Sequence, residues 1–389
     1  MKLLYLANVR LPTQKAHGLQ IMQMCEAVAQ AGLNVTLIIP NRFNRPELVN
    51  ADPWIYYGVA HNFAIQRVAC LDLFRWGSNF LRVAFVLQTF SYLISLLFIS
   101  GSADIYYSRD IGTLLMLSLY RPHRKLCYEA HQLSVSGFGA TLQSWCVRRV
   151  GTVIAVTGKL GDALTARGAQ HVVVAHDGFR QERFTNMPDC ATARTKLNIP
   201  MDAFIVGYMG RLQTMAMSKG IDHLIDAIAS IPDRKITLCL VGGPLETAQT
   251  LRDYWQERGL SADSFLLAGQ VTPTEVPVYL AAFDVCAMTF PTTAHFAYYA
   301  SPLKLFEYMA AGRAIVSSDH PATAEVVHDG ESALLVPPEN VPPLADALCR
   351  LYDDPQLRER LGAAAKRESG QYSWQVRARR ILNFIGEAA

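Results

Sequence analysis

The run S-P-L-K-L-F-E-Y-M-A-A-G-R-A-I-V-S-S over residues 301–318 places a polar helix start, a cation and a carboxylate at spacings suited to a nucleoside diphosphate. Ser301 suits an N-cap and Pro302 the first helical position. The N–H groups of Leu303, Lys304 and Leu305 would then leave the helix at its positive dipole end and meet an anion. Glu307, one turn beyond Lys304, is placed to accept hydrogen bonds from two ribose hydroxyls. Leu303, Phe306 and Ala310 form the expected buried stripe, Gly312 the helix end, and A-I-V-S-S a buried returning strand. For this segment alone, a capped helix with a Lys304–Glu307 surface pair is the alternative.

Two further cations, Arg211 and Lys219, follow the apolar run 204–209, at a strand end where they could neutralise a departing diphosphate. His131 closes the run 125–130, and Arg109 and Asp110 close the run before it. Gly18 sits in the segment 11–19 after the first strand, where a glycine admits close backbone approach to a phosphate or sugar. The chain has no Asp-x-Asp and no His/Cys cluster, so a catalytic metal is not expected.

The segment 301–318 joins five other motifs: G-R-L…K-G (Gly210, Arg211, Leu212; Lys219, Gly220), A-H-D-G-F-R-Q-E-R-F from Ala175, V-G-G-P from Val241, L-A-G-Q-V-T-P-T-E-V-P-V-Y-L-A-A-F-D-V from Leu267, and Y-S-W from Tyr372. Together they resemble the donor half of the retaining glycosyltransferases of family 4 (glycosyl transferases group 1), which have the GT-B fold. The first half is similar only through its opening strand, the Gly18 segment, and Tyr128, Glu129, Ala130 and His131.

The resemblance implies two Rossmann-like parallel-sheet domains facing across a deep cleft, and transfer of a sugar from a nucleotide-diphosphate donor to an acceptor hydroxyl with retention. Diphosphate would depart toward Arg211, Lys219 and the helix start at Ser301, its oxygen assisting deprotonation of the acceptor. By the same resemblance Glu307 binds ribose, backbone groups of Gln270 and Val271 the nucleobase edge, and His131 and Gly18 the donor sugar or phosphate from the other side. Two departures stand out. The Arg211-to-Lys219 spacing of eight exceeds the family's usual one, which leaves a loop able to move until donor binds. Where many members carry a sugar-contacting Glu, eight positions before the ribose Glu, this chain has Tyr299, so Tyr298, Tyr299 or His295 would have to substitute. His17 raises an inverting alternative with a histidine base. A nucleotide-sugar epimerase of the same fold and a catalytically silent sugar-nucleotide binder are the other readings.

Positioning such groups needs two domains, and 389 residues with 51% hydrophobic and 18% charged content allow them. Apolar strands alternate with helices from the start: strand 3–7, helix 19–31, strand 35–40, then strands near 103–107, 125–130, 152–156 and 171–174. A polar connection follows Asp177 and Gly178. A second alternation opens at 204–209 and continues through strands near 235–241, 265–267, 285–288, 314–317 and 333–336. The expected domains are 1–178, with a returning C-terminal helix from 371–389, and 179–370.

Eight cysteines without a C-x-x-C pair read as reduced thiols, and the absence of a cleavable signal pattern suits a cytoplasmic protein. Residues 1–180 hold 17 Lys and Arg against 9 Asp and Glu, whereas residues 181–389 hold 19 against 24. The basic half lacks the interleaved aromatics of a nucleic-acid binder, so its expected anionic partner is a phosphate-bearing lipid or membrane surface. Residues 80–100 are very apolar but interrupted by Arg82 and Gln88, which argues against a bilayer span. Core packing is the expected role, with an interfacial helix as the alternative, flanked by Arg75, Arg82, Arg121, Arg124 and Lys125. A glycan or lipid-linked sugar is the acceptor this composition suggests.

Overall fold

The structure is a computed structural model that describes residues 1–44, 46–73, 81–99, 102–214 and 217–387. The chain divides into two compact units, Met1–His176 with Trp374–Ala389, and Asp177–Ser373.

The first unit is built on seven parallel strands: β1 (Lys2–Leu6), β2 (Asn34–Pro40), β3 (Ala64–Val68), β4 (Ile105–Ser108), β5 (Leu126–Ala130), β6 (Thr152–Ala155) and β7 (Val172–Val174). Their order is β3-β2-β1-β4-β5-β6-β7, so the direction of winding reverses between β1 and β4. Loops at the carboxyl ends of parallel strands face one edge, and a reversal opens a crevice there. β3 is missing from the sequence expectations because A-I-Q-R-V alternates weakly and lies mostly exposed.

The final helix, Trp374–Glu387, belongs to this unit. It buries Trp374, Arg377, Ala378, Ile381 and Ile385, a stripe of helical period, and packs on the helix Ala16–Gln30.

The second unit has six parallel strands: β8 (Phe204–Met209), β11 (Ile236–Val241), β12 (Phe265–Gly269), β13 (Val285–Met288), β14 (Ala314–Ser318) and β15 (Leu334–Val336), in the order β12-β11-β8-β13-β14-β15. Strand alternation sends Phe204, Val206 and Tyr208 of β8 into one apolar layer with the helix Ile221–Ala229, and Ile205 and Met209 into the other with the helix Leu303–Ala311. A small antiparallel ribbon, β9 (Gln213–Thr214) with β10 (Met217–Ser218), lies between Arg211 and Lys219. This ribbon accounts for the long spacing of those two cations and replaces the expected plain loop.

Two expectations need correction. The apolar stretch expected in the core is not core-packed over its described part: the helix Leu81–Leu97 buries a narrow stripe of Ala84, Gln88, Tyr92 and Leu96, while Val83, Phe85, Val86, Leu87, Phe90, Ile94 and Leu97 are 41–64% exposed. The inner stripe is partly polar, Gln88 donating to Asn8 Oδ1 at 2.9 Å and Tyr92 to the Ile38 carbonyl, so apolarity alone did not decide which face packs. Phe80, Ser100, Arg75 and the Arg82 side chain lie outside the described residues. Gly18 also lies inside the first turn of the helix Ala16–Gln30 rather than in a loop. Among the described residues, no helix is long and apolar enough to cross a membrane.

Candidate functional site

In the second unit the candidate residues gather at the carboxyl edge of the sheet. β8 ends at Met209, and the next residues are held by bonds to the loop after β11. Gly210 N–H donates to the Val241 carbonyl at 2.7 Å, and Leu212 N–H to the Gly243 carbonyl at 3.0 Å. Tyr208 Oη donates to the Arg211 carbonyl at 2.9 Å, which sets where Arg211 leaves the strand. Lys219 is placed by Gly220, whose φ of +71° and contact with the Thr289 carbonyl leave no room for a Cβ. Thr289 Oγ1 donates back to the Gly220 carbonyl at 2.8 Å.

The helix Leu303–Ala311 is clamped to β8 by Met209 N–H donating to Tyr308 Oη at 2.8 Å, and it ends at Gly312 with φ +65°. Its start differs from the expectation. Pro302, not Ser301, is the N-cap, and Ser301 Oγ instead accepts from Asp177 N–H at 2.8 Å. Proline at the cap has no side-chain acceptor. Leu305 N–H donates to the Pro302 carbonyl at 3.0 Å, so an anion would be met by Leu303 and Lys304 rather than by all three N–H groups. Leu303 is half-buried, and the buried face runs through Leu305, Phe306, Tyr308, Met309 and Ala310.

Lys304 is no surface partner of Glu307. Its Nζ is buried without a hydrogen-bond partner among the described residues, 3.5 Å from the centre of the Tyr208 ring and 5.5 Å from that of Phe290. Lys219 Nζ lies 4.5 Å from the Phe290 ring and 4.3 Å from the Phe296 ring. Aromatic faces attract ammonium groups but replace little of their lost hydration. Burial, then the neighbouring Arg211, pulls the Lys219 ammonium down to about 8. Burial, then Lys219, pulls Lys304 well below its ordinary value. Burial pushes the Glu307 carboxyl up to about 7 against the pull of Arg183 and Lys304. None of Arg211, Lys219 and Lys304 forms a salt bridge among the described residues. The result is two desolvated lysines beside the exposed Arg211, a set of groups suited to an anion.

Gln270 follows the end of β12 at Gly269 and lies exposed, its Cγ against Gly243; Val271 beside it is half-buried. Tyr299 ends the helical turn His295–Tyr299, whose Phe296 forms the floor under Lys219, while Tyr298 is 41% exposed.

In the first unit, His131 follows β5 and its Nε2 lies 2.6 Å from Glu129 Oε1. Glu129 is fully buried and is the hub of a network that sequence reading did not single out. Arg109 donates to its Oε1 at 2.8 Å, Arg377 to the same oxygen at 3.0 Å, and Tyr107 to Oε2. Burial alone would raise this carboxyl, but Arg109, Arg377 and His131 together hold it well below the usual range. The signal for it was present: one carboxylate in an otherwise apolar strand must find cations.

Asp110 caps the helix Ile111–Leu117 through Gly112 N–H and Thr113 Oγ1, which accounts for it structurally. The space a Cβ would fill at Gly18 is taken by Tyr57 Oη and Thr13, and Tyr57 bridges the Thr13 backbone at 2.6 and 2.9 Å. This glycine therefore admits the protein's own tyrosine. Burial, then Arg109, Lys15 and His131, lowers His17 to about 4. A neutral imidazole of that basicity is poorly matched to a general-base role near neutral pH.

Residues 203–354 match the family model of Glycosyl transferases group 1. The D-inositol 3-phosphate glycosyltransferase of Corynebacterium urealyticum is 31% identical over 221 residues, 54% of this chain and 50% of that protein. The protein of the same description from Streptomyces bingchenggensis is 30% identical over 227 residues, 56% and 48%. This chain spans about half the length of these curated relatives. Among solved structures, sucrose-phosphate synthase of Thermosynechococcus elongatus aligns with TM-score 0.78 at 19% identity, over 100% of this chain and 99% of that one. Anabaena HepE, solved in complex with UDP and glucose, aligns with TM-score 0.74 at 20% identity, over 99% of each chain. These likenesses show the fold, two Rossmann-like parallel-sheet units of the GT-B kind.

Proposed function

We propose that this protein, whose residues 203–354 match the family model of Glycosyl transferases group 1, moves a sugar from a nucleotide-diphosphate donor to an acceptor hydroxyl with retention. The observation that carries the reading is the group formed by Arg211, Lys219 and Lys304, none of them in a salt bridge among the described residues, gathered beside the start of the helix Leu303–Ala311. A leaving diphosphate is the anion such a group suits, because its charge develops as the bond breaks. The glycosidic C–O bond breaks with its electron pair going to the diphosphate. The acceptor oxygen bonds to the same face of the sugar carbon, and its proton passes to a diphosphate oxygen. Glu307 is assigned to the ribose hydroxyls, Gln270 and Val271 to the base, and His131, steadied by Glu129, to the first unit's share of the reaction. Charge neutralisation falls to side chains in this scheme, so it contains no metal step.

The acceptor is assigned to a lipid-linked or cell-surface glycan met at a membrane. The support is the exposed apolar face of the helix Leu81–Leu97, in a unit with an excess of Lys and Arg. In the same unit Arg121 rests on Tyr106 and Tyr120, and Lys125 donates to the Ala103 carbonyl. Incubating the protein with nucleotide sugars and candidate acceptors tests transfer: acceptor-dependent release of nucleoside diphosphate is expected. Turnover of donor without acceptor would indicate epimerisation, and binding without turnover a silent binder. Sedimentation with anionic liposomes tests the membrane assignment, with binding expected to fall as salt is added; no binding at low salt removes it.

A further inference from the structure

Lys219 stands against two rings that stack on each other. Phe290 and Phe296 have their centres 4.7 Å apart, at 4.5 and 4.3 Å from Lys219 Nζ, and the Phe290 ring also lies 5.5 Å from Lys304 Nζ. Both rings belong to the segment 289–297 that follows β13, so the bonds of that segment decide where they stand. At its start Thr289 Oγ1 donates to the Gly220 carbonyl at 2.8 Å, next to Lys219 in the chain. The buried His320, from the segment after β14, donates from Nε2 to the Phe290 carbonyl at 3.0 Å. At its end Phe296 N–H donates to Thr293 Oγ1 at 3.3 Å, and Ala297 N–H to the Thr293 carbonyl at 2.8 Å.

Between these anchors Thr292 lies exposed, and a side chain distant in sequence holds it: Thr292 N–H donates to Glu339 Oε2 at 2.8 Å. Glu339 stands in the turn between β15 and the helix Val341–Asp353, with φ +57°. In that left-handed region the β-carbon of an L-residue crowds the following carbonyl oxygen, and such turn positions usually go to glycine or asparagine. Among the described residues the other non-glycine of positive φ, Asn198, is an ordinary helix C-cap. Glu339 is exposed, so packing does not force it into this conformation. The hydrogen bonds from Thr292 hold its carboxyl below the ordinary value, and His223 and His320 add smaller pulls. A backbone strain and a bond to the segment that carries both rings thus meet in one residue.

We propose that Glu339 is a positioning residue for the anion-binding lysines: by tethering Thr292 it holds the segment of Phe290 and Phe296, and through those rings the Lys219 ammonium, in place for a diphosphate. That the anion is the diphosphate of a nucleotide rests on the glycosyltransferase reading; the tether does not. Glu339 touches no substrate in this scheme. Its negative charge opposes an anion, so it helps such a site only through the bond it accepts.

Calorimetric titration of the intact chain with UDP, GDP and ADP, each beside its monophosphate, tests the role. Glu339→Gly removes the tether and suits the left-handed turn, so the fold should survive, with thermal unfolding as the control. For the diphosphate that binds the wild type, affinity should fall about fivefold, the scale of one net hydrogen bond, and the advantage over the monophosphate should shrink. Glu339→Gln removes the charge but keeps an oxygen for Thr292 N–H, and it should restore most of that affinity. In hydrogen exchange without ligand, segment 289–297 should lose protection in Glu339→Gly and keep it in Glu339→Gln. Unchanged exchange in Glu339→Gly, equal losses for mono- and diphosphate, or a loss in Glu339→Gln as large as in Glu339→Gly overturns the proposal. If no nucleoside diphosphate binds the wild type, the donor reading falls and this role with it; binding that Glu339→Gly leaves intact removes this role alone.

Discussion

Replacing Lys219 by Met should make the empty protein more stable and the nucleotide-bound protein less so. Lys219 is 8% exposed, flanked by the Phe290 and Phe296 rings, with Arg211 and Lys304 as its charged neighbours. Its ammonium falls from 10.5 to about 8, which at about 1.36 kcal/mol per unit makes the charged form roughly 3 kcal/mol less favourable in the folded than in the unfolded chain. The sign follows from proton counts. Between about 8 and 10.5 the unfolded state holds this proton and the folded state has released it, so stability rises with pH across that window. Below it the penalty is present in full.

Met keeps the contact with the two rings and removes the charge. Allowing about 1 kcal/mol for the lost ammonium–ring attraction leaves a gain of about 2 kcal/mol near pH 7. For a unit of this size that raises the melting temperature by roughly 4–8 °C. Calorimetry of wild type and Lys219→Met at pH 7 and pH 10, with and without UDP, reads the effect. The expected pattern is a stabilised empty variant at pH 7, a smaller difference at pH 10, and a UDP-induced shift that is large in the wild type and mostly lost in the variant. A variant less stable than wild type at pH 7, or a difference independent of pH, would refute the desolvation argument. A stabilised variant that keeps the full UDP shift would remove Lys219 from the diphosphate site.

Arg211→Ala should leave the fold intact, because Arg211 is exposed, and depress turnover by the roughly 2.7–4 kcal/mol typical of a lost transition-state donor, read as kcat/KM. Glu307→Gln should weaken nucleoside diphosphate binding by calorimetry. It should also flatten the fall in stability that the wild type shows as pH rises from 4.5 toward about 7, since a carboxyl raised by burial favours the folded state only while protonated. Glu129→Gln leaves the buried Arg377 and the partly buried Arg109 around a neutral amide and should cost about 3–5 kcal/mol in denaturant unfolding. His131→Ala, at a quarter-exposed side chain, should cost far less stability and lower transfer with nucleotide binding retained; equal transfer would make this histidine structural.

Much of the architecture was legible because parallel strands buried on both faces write themselves as short apolar runs. β8 and β13 fall on the expected residues, and Gly312 ends its helix as its lack of a Cβ permits. The strand that escaped notice, β3, is an exposed edge where alternation decays. The apolar stretch 80–100 announced a helix but not its facing. Facing is settled by which side chains find partners, and here Gln88 and Tyr92 found them inward while phenylalanines and valines were left outside.

At the candidate site the same division holds. Local sequence determined that Arg211, Lys219, Lys304 and Glu307 follow strands or start a helix at one edge of a sheet, because chain order and the carboxyl-end rule suffice for that. Only the tertiary structure decided that Lys304 lies on Tyr208 with no salt bridge among the described residues, that Phe290 and Phe296 strip water from Lys219, and that Ser301 serves Asp177 instead of the helix. Desolvation depends on neighbours distant in the chain, and a short-range pattern cannot encode it. The pairing of Glu129 with Arg377, 248 residues away, is the plainest case: each reads as an ordinary charge in sequence, and only the fold brings them together as a buried pair within one network.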